Sequence, residues 1–241
     1  MDTGTIFPSP NGLPAPDWAR IRTVFLDMDG TLLDLHFDNH FWLEHLPLRY
    51  AEEHGIGVTE AKGRLYPRLK AAEGTLSWYC LDHWSRELGL DIVALKHEVA
   101  HLIDVHSHVP EFLDTLRRAG KRVVLLTNAH GASVSLKLDY TGIEGHFDRV
   151  ITSHALGLAK EQPGFWARLN AVEPYDPATT LMVDDNLSVL AAARDYGVGY
   201  LLAVRQPDTK GAAKDTADYP AVEGVGVMIP AIEAAAARRG G

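Results

Sequence analysis

The chain has 241 residues, of which 46% are hydrophobic and 23% are charged, and its formal net charge is −9 at pH 7. This length and composition predict a globular α/β domain, or a domain core with a smaller insertion. The negative charge argues against a binder of nucleic-acid polymers, which needs a basic face to neutralise phosphates. A small phosphorylated ligand stays compatible with it, because a bound cation can reverse the local field.

Targeting signals and disulfide bonds are not indicated by the sequence. The single cysteine, Cys80, excludes a disulfide framework within the chain. The first twenty residues form a proline-rich leader that lacks the apolar core of a signal peptide. No segment approaches the ~18 consecutive apolar residues of a membrane-spanning helix. We therefore expect a cytoplasmic protein that does not bind membranes.

The first predicted strand runs directly into two carboxylates. Residues 23–35 are TVFLDMDGTLLDL, and the apolar run at 24–26 predicts a strand that is buried on both faces. Asp27 and Asp29 follow it. Two like charges this close repel each other, and burying them is unfavourable unless a cation or hydrogen bonds compensate. The end of this strand is therefore a candidate functional site.

Residues 36–108 differ from the rest of the chain, because they show helical spacing and no convincing strand. Apolar residues recur at that spacing in Ile92, Leu95, Val99 and Leu102, for example. We predict that 36–108 is a helical insertion, and that residues 1–35 and 109–241 together form the core domain.

From Pro110 onward, predicted strands alternate with predicted helices. The strands are RVVLLTNA, FDRVITS, TLMVDD, VGYLLAV and a short last strand near residues 225–229. Such alternation indicates right-handed βαβ units and a mostly parallel, Rossmann-like sheet. In sheets of this kind, ligands bind at the carboxyl ends of the strands.

Four of these strand ends carry polar residues that could converge. They are Asp27, Asp29 and Gly30 after the first strand, Thr127 and Asn128 after the second, Lys160 beyond the third, and Asp184 and Asp185 at the fourth. Taken singly, each has an ordinary explanation as a turn, a helix cap or a solvated lysine. Together, and in this order, they predict one site.

The series DMDGT, LLTN, Lys160 before a helix, and VDDN resembles the four-motif pattern of the haloacid dehalogenase (HAD) superfamily, over residues 23–205. The insertion stands where that superfamily has a helical cap. The segments LLDLHFDNHFW, LSWYCLDHWSRELGLDI and LLTNAH are similar to its branch of GMP/IMP nucleotidases. The resemblance implies a Mg²⁺-dependent phosphatase whose partner is a small phosphorylated metabolite, a purine nucleoside monophosphate.

In such an enzyme, Asp27 would be both a metal ligand and the nucleophile that forms an aspartyl phosphate. Asp29 would protonate the leaving alkoxide and later deprotonate water, and the resemblance implies that it binds Mg²⁺ through its backbone carbonyl. Gly30 would let the backbone turn closely around the phosphate.

The remaining roles concern the other strand ends. Thr127 and Asn128 would donate hydrogen bonds to phosphoryl oxygens, and Lys160 would stabilise the charge of the transition state. The resemblance favours Asp185 as the direct metal ligand and Asp184 as its outer-shell neighbour.

Cap residues are candidates for recognising the substrate. The aromatic ones are Phe41, Trp42, Trp78, Tyr79 and Trp84, of which one or two are expected to face the site while the others pack. The polar candidates for base or ribose contacts are Asp38, Asn39, His40 and Arg49.

Three alternatives stay open. The first is a phosphatase of the same superfamily for small sugar phosphates or phosphoglycolate, and the second is a non-catalytic phospholigand-binding protein. The third is a zinc hydrolase, because HEVAH at 97–101 matches the pattern in which His97 and His101 share a helix face. The extended form of that pattern needs glycine and histidine where this chain has Asp104 and Ser107.

Overall fold

The computed structural model describes residues 6–9 and 12–240. Residues 1–5, 10 and 11 of the predicted leader, and residue 241 of the C-terminal tail, lie outside the described residues. After Trp18, which is buried, the chain enters a parallel sheet with helices on both faces. The predicted α/β class with a Rossmann-like core is confirmed.

The sheet contains six strands that pair in parallel. They are β1 (Thr23–Leu26), β2 (Arg122–Thr127), β3 (Arg149–Thr152), β4 (Thr180–Asp184), β5 (Tyr200–Val204) and β6 (Ala221–Val222). Their spatial order is β3-β2-β1-β4-β5-β6, so β1 lies between β2 and β4. The carboxyl ends of parallel strands meet at one edge of the sheet, which brings the predicted strand ends together.

The prediction of the last strand was wrong. It was placed near residues 225–229, but Val225–Met228 form a 3₁₀ helix, and the strand is Ala221–Val222 instead. Val225 and Met228 are buried in the core. Periodicity does not separate a short buried helix from a strand in so short an apolar run.

Helices cover both faces of the sheet. They are α7 (Val109–Arg118), α8 (Gly131–Thr141), α9 (Ser153–Leu156), α10 (Phe165–Val172), α11 (Leu187–Tyr196) and α12 (Ile229–Gly240). Successive residues of a strand point to opposite faces. Val24 and Leu26 accordingly share one core with residues of α7, α8 and α12, and Phe25 shares the other with α10 and α11. None of the helices in the described ranges is both long and apolar enough to cross a membrane.

Residues 36–108, all of which are described, contain helices and no strand. The helices are α1 (His36–His40), a π-helical turn (Phe41–His45), α2 (Leu46–His54), α3 (Val58–Ala72), α4 (Leu76–Tyr79), α5 (Leu81–Leu88) and α6 (Ile92–Glu98). They enclose a hydrophobic cluster of their own, in which Phe41 and Trp84 are buried. Ala132 and Leu136 of α8 pack against that cluster and join it to the core domain.

The HEVAH segment does not form one helical face. Helix α6 ends at Glu98, and a separate 3₁₀ turn follows at Ala100–Leu102. The expectation that His97 and His101 share one helix face was therefore wrong. Both histidines are exposed.

Candidate active site

Lys160 lies in the loop between α9 and α10 and is only 1% exposed. Its ammonium donates hydrogen bonds to the carboxylate of Asp27 and, at 2.7 Å, to Oδ2 of Asp184. It also donates to the carbonyl of Leu126 at 3.1 Å. An isolated lysine is usually solvated, but this one is buried between the ends of β1 and β4.

Burial sets the protonation equilibria of these three groups. It raises the pKa of Asp27 and that of Asp184, and the nearby Lys160 offsets this only in part. Burial would lower the pKa of Lys160, but Asp184 and Asp27 outweigh it, so its pKa lies above the usual value. Lys160 therefore stays a cation between two carboxyl groups.

Asp185 completes a group that we call the strand-end cluster: Asp27, Lys160, Asp184 and Asp185. One carboxylate oxygen from each of the three acids lies within 4.8 Å of the others. Asp185 also accepts a hydrogen bond at 2.6 Å from Lys214, whose side chain is 45% exposed. When all three acids are ionised, their negative charge exceeds the positive charge of Lys160 and Lys214 together. This all-oxygen donor set fits a hard divalent cation such as Mg²⁺.

Gly30 is required by both its conformation and its surroundings. Its φ is +82°, a region that residues with a Cβ rarely adopt. A Cβ at this position would lie 2.8 Å from Cγ of Asp185 and 2.9 Å from Cβ of Pro207. Gly30 was predicted to let the backbone turn closely around a phosphate; in the structure, its lack of a side chain also leaves room for Asp185 and Pro207.

Thr127 is the last residue of β2 and Asn128 follows it, and both are buried. Oγ1 of Thr127 accepts from the backbone N–H of Ala129 at 3.0 Å, so its hydroxyl proton stays available to another acceptor. Asn128 is engaged on both sides: Oδ1 accepts from the N–H of Lys160 at 2.8 Å, and Nδ2 donates to Glu161 at 2.9 Å. Asn128 therefore fixes the loop that carries Lys160.

Glu161 was missed by the sequence reasoning. Its second carboxylate oxygen accepts from the hydroxyl of Tyr79 at 2.9 Å. It thus links α4 of the insertion to Asn128 of the core domain. Its position next to Lys160 is the one sequence signal that could have identified it.

Asp29 belongs to a second group, which we call the junction cluster: Asp29, Asp38, Lys96 and Lys137. Lys137 donates to Asp29 Oδ1 and to Asp38 Oδ2, both at 2.6 Å, and Lys96 donates to Asp38 Oδ1 at 2.7 Å. The side chains of both lysines are 2% exposed. Neither lysine was predicted, and the only sequence signal is the apolar flank of Lys137, between Leu136 and Leu138.

The carboxyl groups of the junction cluster have opposite pKa shifts. Burial raises the pKa of Asp29 to about 7, against the opposing effect of Lys137. Burial also acts to raise the pKa of Asp38, but Lys137 and Lys96 outweigh it and hold that pKa well below its usual range. Asp38 is therefore an anion at neutral pH, while the raised pKa of Asp29 lets that carboxyl group exchange a proton near neutral pH.

A cavity of about 990 Å³ opens between the strand ends and the insertion. Its lining includes the strand-end cluster, Asp29 and Thr127 on the core side, and Trp42, Trp78 and Tyr79 on the side of the insertion. The other two predicted aromatics, Phe41 and Trp84, are buried inside the insertion. The polar candidates Asp38 and Asn39 line the cavity, whereas Arg49 contacts Glu52 and Glu98.

The histidines of HEVAH are not part of a three-ligand site. Among the described residues, the group of three possible metal ligands is Asp27, Asp184 and Asp185, and it contains no histidine. Glu98 instead contacts His45 at 2.9 Å and Arg49 at 3.3 Å. These contacts favour a structural role for Glu98 on the insertion.

Comparison with known proteins agrees with this geometry. The profile of the hydrolase family described as haloacid dehalogenase-like matches residues 21–197. The chain is 36% identical over 215 residues to the GMP/IMP nucleotidase YrfG of Escherichia coli, covering 89% of this chain and 97% of that protein. It is 23% identical over 192 residues to an (S)-2-haloacid dehalogenase of a Pseudomonas species, covering 73% and 80% of the two chains.

A solved structure shows the same fold. The HAD phosphatase from Thermococcus onnurineus superposes with a TM-score of 0.70 at 22% identity, over 85% of this chain and 94% of that one. The family profile spans more than half of the chain and contains all four motifs. The protein therefore belongs to the haloacid dehalogenase-like hydrolases.

Proposed function

We propose that the protein is a phosphomonoester hydrolase that acts through a covalent phosphate ester of Asp27. The observation that carries the proposal is the strand-end cluster. The carboxylate of Asp27 is buried and accepts a hydrogen bond from Lys160. It lies beside Asp184 and Asp185, whose carboxylate oxygens could bind a cation together with it. The three acids line a cavity that is large enough for a small phosphorylated metabolite. Such sites suit attack on an anionic phosphate, because the charges of nucleophile and substrate must both be offset.

In the first half-reaction, a carboxylate oxygen of Asp27 forms a bond to phosphorus while the bond from phosphorus to the ester oxygen breaks. The electron pair goes to the ester oxygen, and Asp29 gives it a proton. In the second, Asp29 takes a proton from water, whose oxygen bonds to phosphorus. The bond from phosphorus to Asp27 then breaks, releasing phosphate and regenerating the carboxylate.

The other residues of the site supply charge and hydrogen bonds. Lys160, held by Asp27 and Asp184, would offset the charge on the transferring phosphoryl group. Thr127 has a hydroxyl proton for a phosphoryl oxygen. Asn128, which is already bonded to the loop of Lys160, would act mainly by keeping that lysine in place.

Mg²⁺ is the cofactor that the donor set favours. When bound, it would neutralise negative charge on the phosphate and on the nucleophile. Asp27 and Asp185 would hold it directly, with the backbone carbonyl of Asp29. Asp184 would act from the outer shell, because its two oxygens already accept from Lys160 and from the N–H of Asn186.

We further propose that residues 36–108 act as a cap that closes on the core, excludes water and selects the leaving group. The favoured substrates are purine nucleoside 5′-monophosphates, GMP and IMP. Support comes from the 36% identical nucleotidase and from Trp42 and Trp78, which line the cavity and could stack on a purine.

Asp29 separates this proposal from dehalogenation. A halide leaves without a proton, so a dehalogenase needs no acid at this position. An alkoxide does need one, and Asp29, whose pKa burial raises to about 7, is suited to donate it.

Phosphate release from nucleoside monophosphates and small sugar phosphates, measured with Mg²⁺ and with chelator, tests the proposal. We expect Mg²⁺-dependent release from IMP and GMP. Release from sugar phosphates alone would keep the mechanism and overturn the nucleotide assignment. No release from any of them would overturn the enzymatic proposal and favour a phospholigand-binding protein.

A further inference from the structure

The junction cluster connects a proposed catalytic carboxyl group to the insertion through a continuous series of ion pairs whose lysines are buried. Lys137 belongs to α8 of the core domain, whereas Asp38 and Lys96 belong to α1 and α6. The ammonium of Lys137 contacts both Asp29 and Asp38, and that of Lys96 contacts Asp38. When Asp29 is ionised, two carboxylates and two ammonium groups therefore balance each other between the insertion and the core domain.

Aromatic rings fix the positions of the two ammonium groups. Nζ of Lys96 lies 4.8 Å from the ring centroid of Phe37 and 4.5 Å from that of Phe41, and Nζ of Lys137 lies 5.1 Å from Phe37. Buried cations in contact with both carboxylates and ring faces have little freedom to move. The cluster is thus a rigid support rather than a set of exchanging surface pairs.

Lys137 determines which oxygen of Asp29 can carry a proton. An ammonium group only donates hydrogen bonds, so Oδ1 of Asp29, 2.6 Å from it, must accept. The proton of the carboxylic acid then resides on Oδ2, the oxygen without a hydrogen-bond partner in the described part of the chain. Asp29 lines the cavity, and Oδ2 is the oxygen that the contact with Lys137 leaves for a leaving group.

We propose that Lys137 is a positioning residue that aims Oδ2 of Asp29 at the leaving-group oxygen, and that Asp38 and Lys96 hold Lys137 in place while the insertion packs on the core domain. The inference rests on the proposed phosphatase function. It adds three residues to that function, and it makes proton donation depend on the packing of the insertion, because Asp38 and Lys96 belong to the insertion.

The test compares two substrates that differ in one atom. IMP must lose an alkoxide, which needs a proton. Its analogue with sulfur in place of the bridging 5′ oxygen loses a thiolate, and because a thiol has a pKa of about 8.5, this group departs without protonation. The value of kcat/KM covers the steps up to departure of the leaving group, so the ratio between the two substrates reports how well the acid is positioned.

We expect Lys137→Met to lower kcat/KM for IMP by roughly 100-fold, the scale of general acid catalysis. The sulfur analogue should lose much less, so the ratio should shift by at least about tenfold. Asp38→Asn, which keeps the shape of the side chain, should shift the ratio of kcat/KM values in the same direction by a smaller factor. If Lys137→Met does not fold, the ratio measured for Asp38→Asn tests the inference instead. Equal losses for both substrates in the folded variants, or no loss, would overturn the inference.

Lys121→Met is the matched control. Lys121 is another buried lysine, and it donates to the carbonyls of Trp18 and Ile21 at 2.6 and 2.7 Å, away from the cavity lining. Its loss should reduce stability without changing the substrate ratio, and a ratio that shifted as in Lys137→Met would count against a specific role for Lys137. A wild-type protein that releases no phosphate from IMP would overturn the proposed function, and this inference with it. That failure is distinguishable, because it appears before any substitution is made.

Discussion

The strand-end cluster and the junction cluster are both buried groups of aspartates and lysines, but their charges are balanced differently. Three carboxylates face a single buried ammonium in the strand-end cluster. Two carboxylates face two ammonium groups in the junction cluster. When all of these acids are ionised, the strand-end cluster has negative charge left for a cation, whereas the charges of the junction cluster cancel.

This difference separates a cluster that favours a bound cation from one whose ionised groups already pair with one another. Excess charge in a buried site raises the pKa values of its acids and favours a metal ion. A balanced cluster can hold two parts of a fold in one arrangement without a ligand. Substitutions in the strand-end cluster should therefore affect turnover most, and those in the junction cluster should also affect stability.

The largest expected effect is that of Asp27→Asn. Without the nucleophile, phosphate release should fall by several orders of magnitude, while circular dichroism shows an intact fold. Asp195→Asn, which changes a side chain that is 74% exposed, is the control and should retain full activity. Comparable rates for Asp27→Asn and the wild type would contradict the mechanism.

Lys160→Met should lower kcat by roughly 10²- to 10³-fold, the scale of losing one electrostatic contact to the transition state. Mg²⁺ should still bind, because the substitution removes a positive charge and leaves all three carboxylates. Titration calorimetry would measure Mg²⁺ binding, and an assay of phosphate release would measure the rate. A folded variant with full activity would remove Lys160 from the site.

Asp38→Asn should lower the free energy of unfolding at neutral pH by about 3 kcal/mol, because it leaves buried ammonium groups without their anion. Folding holds the pKa of Asp38 below its ordinary value, so this stabilisation is present above about pH 3.9 and is lost as the pH falls further. The difference between wild type and variant in the free energy of unfolding, measured by urea unfolding, should become smaller as the pH falls from 6 to 3.

Glu53→Gln, which alters an exposed carboxylate of α2, is the control for this measurement. It should change stability little at any pH in that range. A difference for Asp38→Asn that stayed constant through acidification would show that Asp38 is not held as an anion by the fold.

Gly30→Ala should destabilise the protein by about 1 kcal/mol or more, from backbone strain, and also weaken Mg²⁺ binding, because the new Cβ displaces Asp185. Gly55→Ala is a matched control: its φ is +63°, but nothing lies within 4 Å of an added Cβ. Both variants have a strained backbone, but only Gly30→Ala places a Cβ against Asp185. Only Gly30→Ala should therefore alter the affinity for Mg²⁺ in titration calorimetry. Equal affinities would contradict the assigned contact.

The strand-end cluster could be predicted because its aspartates stand at the ends of β1 and β4 and Lys160 lies in the connection that follows β3. Parallel pairing brings such ends together whatever the details of packing. Asp27, Lys160 and Asp184 were predicted in this way, and the structure does bring them together. The sequence did not indicate that Asn128 would be occupied by Glu161 and the loop of Lys160, since that depends on loop conformation.

The junction cluster could not be predicted in the same way. Asp38, Lys96 and Lys137 come from three helices whose relative placement depends on how the insertion packs on the core domain. A lysine in a helix is normally solvated, so neither its burial nor its partner follows from local pattern. Local pattern also failed for the last strand, because the short apolar run at 225–229 fitted a strand as well as a buried turn.

The measurement that tests the central claim most directly is a single turnover with Mg²⁺ and IMP whose phosphate is radiolabelled. The reaction is quenched in acid, and the labelled peptide is identified by peptide mapping. We expect transient label on the peptide that contains Asp27, and none with chelator or in Asp27→Asn. Hydrolysis without a labelled peptide, or with label on a residue other than Asp27, would contradict the account.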